Sequence, residues 1–568
     1  MNKNKQKLTQ EELLAEIERL KKELKKRKKY GLVWEEKPEE TVEMCKNKLP
    51  ILKEVKSKEI VTDKDGPVNL LIEGDNYHAL SVLNYTHEKK IDVIYIDPPY
   101  NTGTGDNFKY NNKIVDKEDA YRHSKWLSFM EKRIKLARSL LKPNGIIVTT
   151  IDDCELYPLG LLLDDIFGEN NKVGIIVIEN NPRGRTTNTY FATCHEYYLF
   201  YARNINLADI KNPPLTEEQA SVFNFKDEIS EYRLLPFRRS GGLSTPEERP
   251  NSYYPIYYNE KLNTLSLKKL PGFIEILPID SKGKKRVWRQ TRPSLIEAIK
   301  RGDMFVKKNR EGSYTVMMKD RIKEGRKPKT IWINPKYDAS SHGTVLLEKI
   351  LEKRGTFDYP KSLYAVKHSL EILTADKRTS IILDFFAGSG TTGHAVLELN
   401  KEDDGNRQFI LCTNNENNIC TDVCHPRIKK VIEGYKNLKD EKVEGLGGNL
   451  KYFKTDFVDA EPTDKNKRKL TEQATEMLCI KEGTFELVLD QKKFKIFRNS
   501  KHYTGIIFDQ LTIPEFKKAI KNIEGKFSVY VFSLSDETFD DEFKDVKQKV
   551  QLSPIPEAIL RVYRRIFK

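Results

Sequence analysis

Two blocks of alternating strand and helix patterns constrain the fold of this 568-residue chain more than any other feature of its sequence. Residues 67–205 contain short apolar strands, such as IDVIYI at 91–96, separated by helical patterns, and the alternation resumes after residue 345. Strands that are apolar on both faces and linked through helices favour a mostly parallel sheet covered on both sides. The sequence therefore predicts an α/β fold whose core is split around a segment of different character.

The changes of pattern predict five segments. They are an N-terminal helix with its linker at 1–40, the first half of a core at 41–205, an inserted segment at 206–335, the second half of the core at 336–455 and a small C-terminal α/β domain at 456–568. The N-terminal helix, over 9–29, has a capping box and a stripe of leucine and isoleucine at helical spacing. This stripe could dock on its own domain or on a second subunit, and both ends of the chain are candidates for a role in assembly.

Composition narrows the class of protein. No segment approaches the roughly 20 consecutive apolar residues of a membrane helix, and the N-terminus lacks an apolar signal core. The seven cysteines have neither the spacing of a disulfide framework nor that of a zinc site, which favours reduced thiols in the cytoplasm and no metal. A formal net charge of +15 suits a polyanionic partner such as nucleic acid, although a solvated lysine-rich surface would carry the same charge.

The glycine-rich turn DFFAGSGTTG at 384–393 follows an apolar strand and precedes a helical pattern. Glycines let the backbone turn tightly and approach a ligand, toward which the helix directs its N-terminus. Asp384 could bind a ligand amine, and Glu416, after the next strand, could bind ribose hydroxyls. His394 stands where a nucleoside-triphosphate loop has lysine. The turn therefore fits either a dinucleotide, by its GxGxxG spacing, or S-adenosylmethionine.

A second motif, the tetrapeptide Asp97-Pro98-Pro99-Tyr100 at the end of another buried strand, decides between these ligands. The carboxylate of Asp97 and the carbonyl of Pro98 can each accept an N–H bond from the exocyclic amine of a nucleobase, and the prolines fix the carbonyl's direction. The ring of Tyr100 offers a face on which a base swung out of a duplex can stack. Hydride transfer needs none of these groups. The tetrapeptide therefore predicts direct methyl transfer to a base amine, aided by positioning and electrostatics.

Together the two motifs resemble those of the DNA amino-methyltransferases, in the order of the β-group, where the catalytic tetrapeptide precedes the glycine-rich motif. The resemblance implies a circularly permuted, Rossmann-like methyltransferase core with a mostly parallel sheet. LLIEGDNYHAL resembles the group's strand-end Gly-Asp, which implies that Asp75 contacts the adenine of the cofactor. YPKSLYAVKHSLEIL resembles the helix that holds the cofactor's carboxylate, which implies Lys361 and Ser362 in that role.

The predicted site thus has a catalytic part and a cofactor-binding part, and it contains no metal. The catalytic part consists of Asp97, Pro98, Pro99 and Tyr100. The cofactor-binding part, for S-adenosyl-L-methionine, consists of Asp75, Lys361, Ser362, Asp384, Phe385, Phe386, Gly388, Gly390, Thr391, Thr392 and Glu416.

Three further blocks, at 181–204, 327–344 and 426–435, resemble the modification (Mod) subunit of Type III restriction–modification systems. This resemblance implies N6 methylation of adenine in double-stranded DNA by a homodimer, with a separate restriction (Res) subunit as a further partner. Cytosine N4 is the alternative target, because the tetrapeptide does not separate the two amines completely. A catalytically weak DNA-recognition subunit, an RNA-methylating relative and an NAD-dependent oxidoreductase are rival interpretations, and the last leaves the tetrapeptide unexplained.

In this family the segment between the two half-cores reads the DNA sequence, which implies that 206–335 is the target-recognition domain. Basic and aromatic residues alternate there; basic groups suit phosphates and guanine edges, and aromatic rings can stack or wedge. The same residues could instead form a lysine-rich surface over a tyrosine core. The predicted DNA-binding residues are Arg183, Arg185, Arg238, Arg239, Arg286, Trp288 and Arg289.

Overall fold

The computed structural model describes residues 34, 38–63, 66–102, 121–184, 190–212, 215, 220–309, 312–323, 325, 327–436, 441–534, 537 and 539–567. The predicted N-terminal helix at 9–29 lies outside these residues, and so does Arg185. The chain divides into two compact units, one made of Met1–Lys211 with Lys329–Lys568 and the other of Asn212–Pro328. Both motifs belong to the first unit.

The helices and strands follow the predicted alternation in both blocks. The helices are α1 (Glu40–Met44), α2 (Asn76–Thr86), α3 (Arg122–Leu140), α4 (Leu156–Phe167), α5 (Arg292–Lys300), α6 (Val345–Leu351), α7 (Leu363–Thr374), α8 (Thr391–Asp403), α9 (His425–Glu433), α10 (Asp464–Gln473), α11 (Thr475–Glu482), α12 (Ile513–Ile520) and α13 (Glu557–Ile566). The strands are β1 (Lys48–Glu54), β2 (Val68–Glu73), β3 (Ile91–Ile96), β4 (Leu141–Ile151), β5 (Lys172–Glu179), β6 (His195–Ala202), β7 (Phe225–Lys226), β8 (Glu231–Pro236), β9 (Ile256–Asn259), β10 (Thr264–Ser266), β11 (Ile274–Ile276), β12 (Met304–Lys308), β13 (Tyr314–Arg321), β14 (Ile331–Trp332), β15 (Ile381–Asp384), β16 (Gln408–Thr413), β17 (Gly434–Lys436), β18 (Lys442–Glu444), β19 (Asn449–Asp459), β20 (Glu486–Asp490), β21 (Phe494–Arg498), β22 (Tyr503–Ile507), β23 (Phe527–Phe532) and β24 (Val550–Ile555).

A mixed sheet of ten strands organises the first unit, in the order β1-β19-β2-β16-β15-β3-β4-β6-β5-β14. Parallel pairings run from β19 through β4 and also join β5 to β14. Antiparallel pairings occur between β1 and β19 and on both sides of β6. The α/β class is therefore confirmed. Strands β15 and β16, late in the chain, lie between the early strands β2 and β3, so both halves of the sequence contribute to one sheet.

Strand β3 shows why the central strands are almost wholly apolar. Ile94 and Ile96 pack into the hydrophobic core on one face of the sheet, whereas Val93 and Tyr95 pack into the core on the other face. Successive side chains of a strand point to opposite faces, so a sheet covered by helices on both sides buries every position. The continuous apolar run in the sequence is the direct consequence.

The C-terminal region adds a five-stranded sheet, in the order β20-β21-β22-β23-β24, to the first unit. Tyr530 of β23 and Ile559 of α13 belong to the same hydrophobic core as the ten-stranded sheet. Tyr563 is buried, and its hydroxyl donates a hydrogen bond to the carbonyl of Pro50 in β1. Within the described residues, no helix combines the length and the apolar character needed to cross a membrane.

The second unit contains a three-stranded sheet, β10-β9-β11, and a four-stranded sheet, β12-β13-β8-β7. Its core is built from buried side chains that include Phe237, Tyr254, Ile256 and Trp288. The unit falls within the segment 206–335 for which the sequence predicted a separate role.

Candidate active site

Strands β3 and β15, which precede the two motifs, are neighbours in the sheet. They pair in parallel, with Ile382 opposite Val93 and Leu383 opposite Ile94. Parallel strands end at the same edge of a sheet, where α/β proteins bind their ligands. The tetrapeptide after β3 and the glycine-rich turn after β15 therefore emerge side by side.

A cavity of about 500 Å³ is lined by residues from both motifs. Most of the predicted site residues contribute to this lining, namely Asp75, Asp97, Pro99, Lys361, Asp384, Phe385, Phe386, Gly388, Thr391, Thr392 and Glu416. Pro98, Tyr100, Ser362 and Gly390 are not part of the lining. Residues separated by almost 300 positions in the chain thus share one binding site.

The glycine-rich turn needs glycine at two positions. Gly388 has a φ of +49° and Gly390 a φ of +79°, both in the left-handed region. A Cβ added at Gly388 would lie 3.2 Å from Cζ of Phe357, and one at Gly390 would lie 3.1 Å from Sγ of Cys424. Helix α8 begins at Thr391, so its free N–H groups lie at the end of the turn, where they favour a polar or anionic ligand group.

Arg427 of α9 supports this turn from inside the protein. Its side chain is fully buried and donates hydrogen bonds to Oγ of Ser389 at 3.0 Å and to Oγ1 of Thr391 at 2.8 Å. It forms no ion pair with any described residue, and burial lowers the pKa of its guanidinium to about 10. Sequence reasoning missed this residue, because the block PRIKK gave no sign of which basic side chain would be buried.

Asp384, the last residue of β15, is the buried carboxyl of the cavity wall. It accepts hydrogen bonds from the backbone N–H of Phe386 at 2.9 Å and from the hydroxyl of Thr392 at 2.5 Å. Burial raises its pKa to about 7, and the negative charge of Asp97 contributes to the increase. At neutral pH this carboxyl is therefore poised to ionise when a cationic group comes near.

Asp75 lies on another side of the cavity, where it caps α2 by accepting a hydrogen bond from the N–H of Tyr77 at 2.7 Å. Arg133 places Nη2 3.7 Å from the Asp75 carboxylate, donates to Oδ1 of Asn76 at 2.5 Å and pairs with Glu39 at 2.9 Å. Both Glu39 and Arg133 line the cavity, although the sequence did not single them out. The basic helix α3 offers several candidates, and only packing selects Arg133.

The catalytic tetrapeptide is fixed by hydrogen bonds to neighbouring strands. Oδ1 of Asp97 accepts a hydrogen bond from the hydroxyl of Thr150 at 2.6 Å. The hydroxyl of Tyr100 donates to Thr150 at 3.0 Å and to Oε2 of Glu196 at 3.2 Å. The carbonyl of Pro99 accepts a hydrogen bond from the indole N–H of Trp126 at 2.8 Å. Burial, followed by the nearby carboxylates, raises the pKa of Tyr100 well above its ordinary value, so the phenol stays neutral.

Lys361 and Ser362 occupy different surroundings despite being adjacent. Nζ of Lys361 lies 3.2 Å from Oδ1 of Asp97, 2.5 Å from Oε2 of Glu196 and 4.6 Å from the centroid of the Tyr100 ring. Burial lowers the pKa of Lys361, but the two carboxylates outweigh this effect and the net shift is upward. Ser362 is buried and donates its hydroxyl to the carbonyl of Lys336 at 2.6 Å. Their role toward the cofactor carboxylate stays a prediction.

The profile of the DNA methylase family matches residues 91–423. This span begins at β3 and runs past the glycine-rich turn, so it includes both motifs and covers more than half of the chain. The chain belongs to the DNA methylase family.

Three curated relatives are similar in sequence to this DNA methylase. It is 33% identical over 390 residues to the Type II methyltransferase M.KpnI of Klebsiella pneumoniae, covering 68% of this chain and 88% of that protein. It is 32% identical over 384 residues to the EcoPI Mod subunit of Escherichia phage P1 and 32% identical over 371 residues to the StyLTI Mod subunit of Salmonella typhimurium, each a Type III restriction–modification enzyme subunit. Both matches cover 61% of this chain but only 58% and 52% of the two Mod subunits.

The predicted DNA-binding residues of this DNA methylase have varied surroundings. Arg183, just after β5, is exposed. In the second unit, Arg238, Arg239 and Arg289 donate to backbone carbonyls of Ile279, Gly242 and Pro236, and Arg286 pairs with Asp280 at 2.9 Å. Trp288 is 2% exposed, stacks on Phe237 with ring centroids 5.3 Å apart and donates its indole N–H to the carbonyl of Tyr254. Its ring is a core element of the unit and is not available for stacking on a base.

Proposed function

We propose that this DNA methylase transfers a methyl group from S-adenosylmethionine to the N6 amine of an adenine in double-stranded DNA. The observation that carries the proposal is the single cavity lined by both Asp97 and the glycine-rich turn. A methyltransferase needs its target amine and its methyl donor within one enclosed site, because catalysis depends on their relative position. The relatives named as Type II methyltransferases and Mod subunits support the same reaction.

S-adenosylmethionine is the methyl donor, and the chemistry of the cavity residues fits it. When bound, it supplies an electrophilic methyl group on a sulfonium. Asp75 and Glu416 would hold the adenine amine and the ribose hydroxyls, and Asp384 would hold the α-ammonium group. Gly388 keeps the backbone of the turn accessible, since its position carries no side chain.

The target base would be held by the tetrapeptide. Asp97 and the carbonyl of Pro98 accept the two N–H bonds of the amine, which draws the nitrogen lone pair out of conjugation with the ring and fixes its direction. No covalent intermediate is required, so these residues act by position and charge. A base paired inside a duplex cannot reach such a cavity, and we therefore infer that the adenine is flipped out of the helix.

The assembly is part of the proposal. The likeness to Mod subunits of Type III restriction–modification enzymes supports a Res subunit as partner. We further propose a homodimer that works in the cytoplasm. The chain covers a larger share of M.KpnI than of the Mod subunits, which favours a second candidate, a methyltransferase that acts without a partner subunit. Cytosine N4 is the alternative target atom, and a catalytically weak DNA-recognition subunit is the alternative role.

Sequencing of native DNA tests these possibilities together. The chain is expressed in a host without adenine methylases of its own, and modified bases are read directly on single DNA molecules. We expect N6-methyladenine at one short recognition sequence, and far less of it in cells expressing the Asp97→Ala variant. N4-methylcytosine would favour the alternative target, and unmodified DNA with soluble protein would contradict the proposal.

The affinity for S-adenosylhomocysteine should rise with pH between about 5.5 and 8. Asp384 must be ionised to hold the ligand's ammonium, and burial has raised its pKa to about 7, so binding below that pH requires the loss of a proton. The expected change approaches tenfold per pH unit on the acid side and levels off above about pH 7.5. Isothermal titration calorimetry at a series of pH values measures it directly.

The Asp384→Asn variant provides the comparison for this titration. Its affinity should be lower at pH 8 and should vary less with pH, whereas Asp165→Asn, at an exposed position of α4, should follow the unmodified protein. The raised pKa of Asp384 also affects stability. Because this pKa is higher in the folded than in the unfolded chain, the free energy of unfolding of the ligand-free protein should fall as pH rises from about 4 to about 7. A pH-independent affinity in the unmodified protein would contradict the role of Asp384.

A further inference from the structure

A buried ion pair beside the catalytic carboxylate has no role in the reaction described so far. Glu196, the second residue of β6, is 3% exposed, and the ammonium of Lys361 lies 2.5 Å from its Oε2. The hydroxyl of Tyr100 donates to the same oxygen. Strand β6 is antiparallel to β4, and this pairing brings the start of β6 to the end of β4, next to Thr150 and Asp97.

The contacts on Asp97 are asymmetric. Thr150 and Lys361 both approach Oδ1, at 2.6 Å and 3.2 Å. Oδ2 accepts no hydrogen bond from any residue that the structure describes. One oxygen of the carboxylate is therefore anchored by the protein, and the other is left for an N–H group of the target base.

We propose that Glu196 and Lys361 are positioning residues for methyl transfer, in which Glu196 holds the ammonium of Lys361 so that it fixes Oδ1 of Asp97 and balances the charges of the two carboxylates. The inference rests on the proposed function, because it assigns a purpose to the unoccupied oxygen of Asp97. It also gives Glu196 a reason to be buried. A buried charge is costly to the fold, and a hydrophobic pair of similar size would stabilise this position at least as well.

The charge balance of the site explains how the pair acts. The titratable and charged groups that face Asp97 and Lys361 are Tyr95, Tyr100, Asp152, Glu196, Tyr198 and Asp384. Burial keeps the three tyrosines neutral, because it raises their pKa well above 10. Lys361 is then the cation shared by Asp97 and Glu196. Without it, two carboxylates would face each other, and one of them would take up a proton.

The test is the pH dependence of single-turnover methyl transfer, with the full chain saturated by S-adenosylmethionine and by plasmid DNA carrying the recognition sequence. In Lys361→Met we expect the acid limb of the rate profile to move upward by about one pH unit or more. In the double variant Lys361→Met/Glu196→Gln the acid limb should move back most of the way to its position in the unmodified protein, because the charge of the second carboxylate is gone. Glu196→Gln alone should produce no upward shift, and its rate at pH 8 should fall several-fold because Lys361 has lost its anchor.

The double variant separates this role from a merely structural one. Loss of packing would add further damage in the second substitution, whereas the positioning role predicts recovery. The double variant also controls for Asp152, which feels the charge of Lys361, because Glu196→Gln does not restore that charge. An acid limb that does not move in Lys361→Met, or one that does not recover in the double variant, would overturn the inference.

Cofactor affinity provides the second measurement. The affinity for S-adenosylhomocysteine should change less than about twofold in Glu196→Gln at pH 8, because Glu196 does not line the cavity. A tenfold loss in Lys361→Met without a change of the acid limb would show that Lys361 holds the cofactor carboxylate instead. Failure of the proposed function itself would look different, because the unmodified protein would then transfer no methyl group to DNA at any pH.

Discussion

Replacing Asp97 with alanine is expected to slow single-turnover methyl transfer by about 100- to 1,000-fold or more, which is the effect of removing one aligned charged group from a transition state. The substitution removes the acceptor that holds the target amine, while the backbone and the rest of the cavity remain. Binding of S-adenosylhomocysteine should persist. At neutral pH it should even tighten slightly, because the charge of Asp97 is one cause of the raised pKa of Asp384.

The control for this variant is Asp165→Ala, which removes an exposed aspartate outside the cavity and should leave the rate unchanged. Circular dichroism and the unfolding temperature check that both variants are folded. Simultaneous loss of transfer and of S-adenosylhomocysteine binding in Asp97→Ala would mean that Asp97 supports the cofactor site or the fold, and the catalytic assignment would be wrong.

Replacing Gly388 with valine should lower the affinity for S-adenosylhomocysteine by about 100-fold or more and abolish transfer at ordinary cofactor concentrations. The left-handed backbone at Gly388 is strained for a β-branched residue by about 1–3 kcal/mol, and the new side chain would meet Phe357, whose ring lies 3.2 Å from the Cβ position. Both residues line the cavity, so either the turn shifts or the space for the cofactor closes.

Gly302→Val is the matched control for backbone strain. Gly302 also has a left-handed φ, of +72°, but nothing lies within 4 Å of its Cβ position and it belongs to the second unit. Both variants should lose stability in urea unfolding, Gly388→Val by more because its side chain also meets Phe357, while only Gly388→Val loses the cofactor. Equal affinities in both variants would show that the glycine-rich turn does not contact the cofactor.

The sequence predicted those features of the fold that depend on local sequence pattern, namely the central strands and the motifs that follow them. Strand β3 is apolar at nearly every position and ends in prolines, and β15 ends in a glycine-rich turn, so both the strands and the groups at their ends could be located. Their proximity in space followed from the parallel sheet that such strands imply. Asp97, Asp384 and Glu416, which line the cavity, were located in this way.

The residues that were missed are buried charges whose partners are distant in sequence. Glu196 lies near the start of an aromatic strand, and a charge at such a place is ordinarily exposed. Its burial depends on Lys361, which is 165 residues further along the chain. Arg133 and Arg427 likewise stand in basic helices whose pattern does not show which side chain turns inward. Trp288 was predicted to bind DNA, but its side chain is buried in the core of the second unit. Short strands with many aromatic residues do not reveal which rings form the core.

The most direct measurement is transfer of a tritiated methyl group from S-adenosylmethionine to unmethylated duplex DNA by the purified chain, followed by digestion of the DNA to nucleosides and their separation. We predict that the label is recovered in N6-methyldeoxyadenosine and that Asp97→Ala transfers it at least about 100-fold more slowly. Folded protein that binds S-adenosylhomocysteine but leaves the DNA unlabelled would contradict the account, and label in N4-methyldeoxycytidine would contradict the choice of adenine.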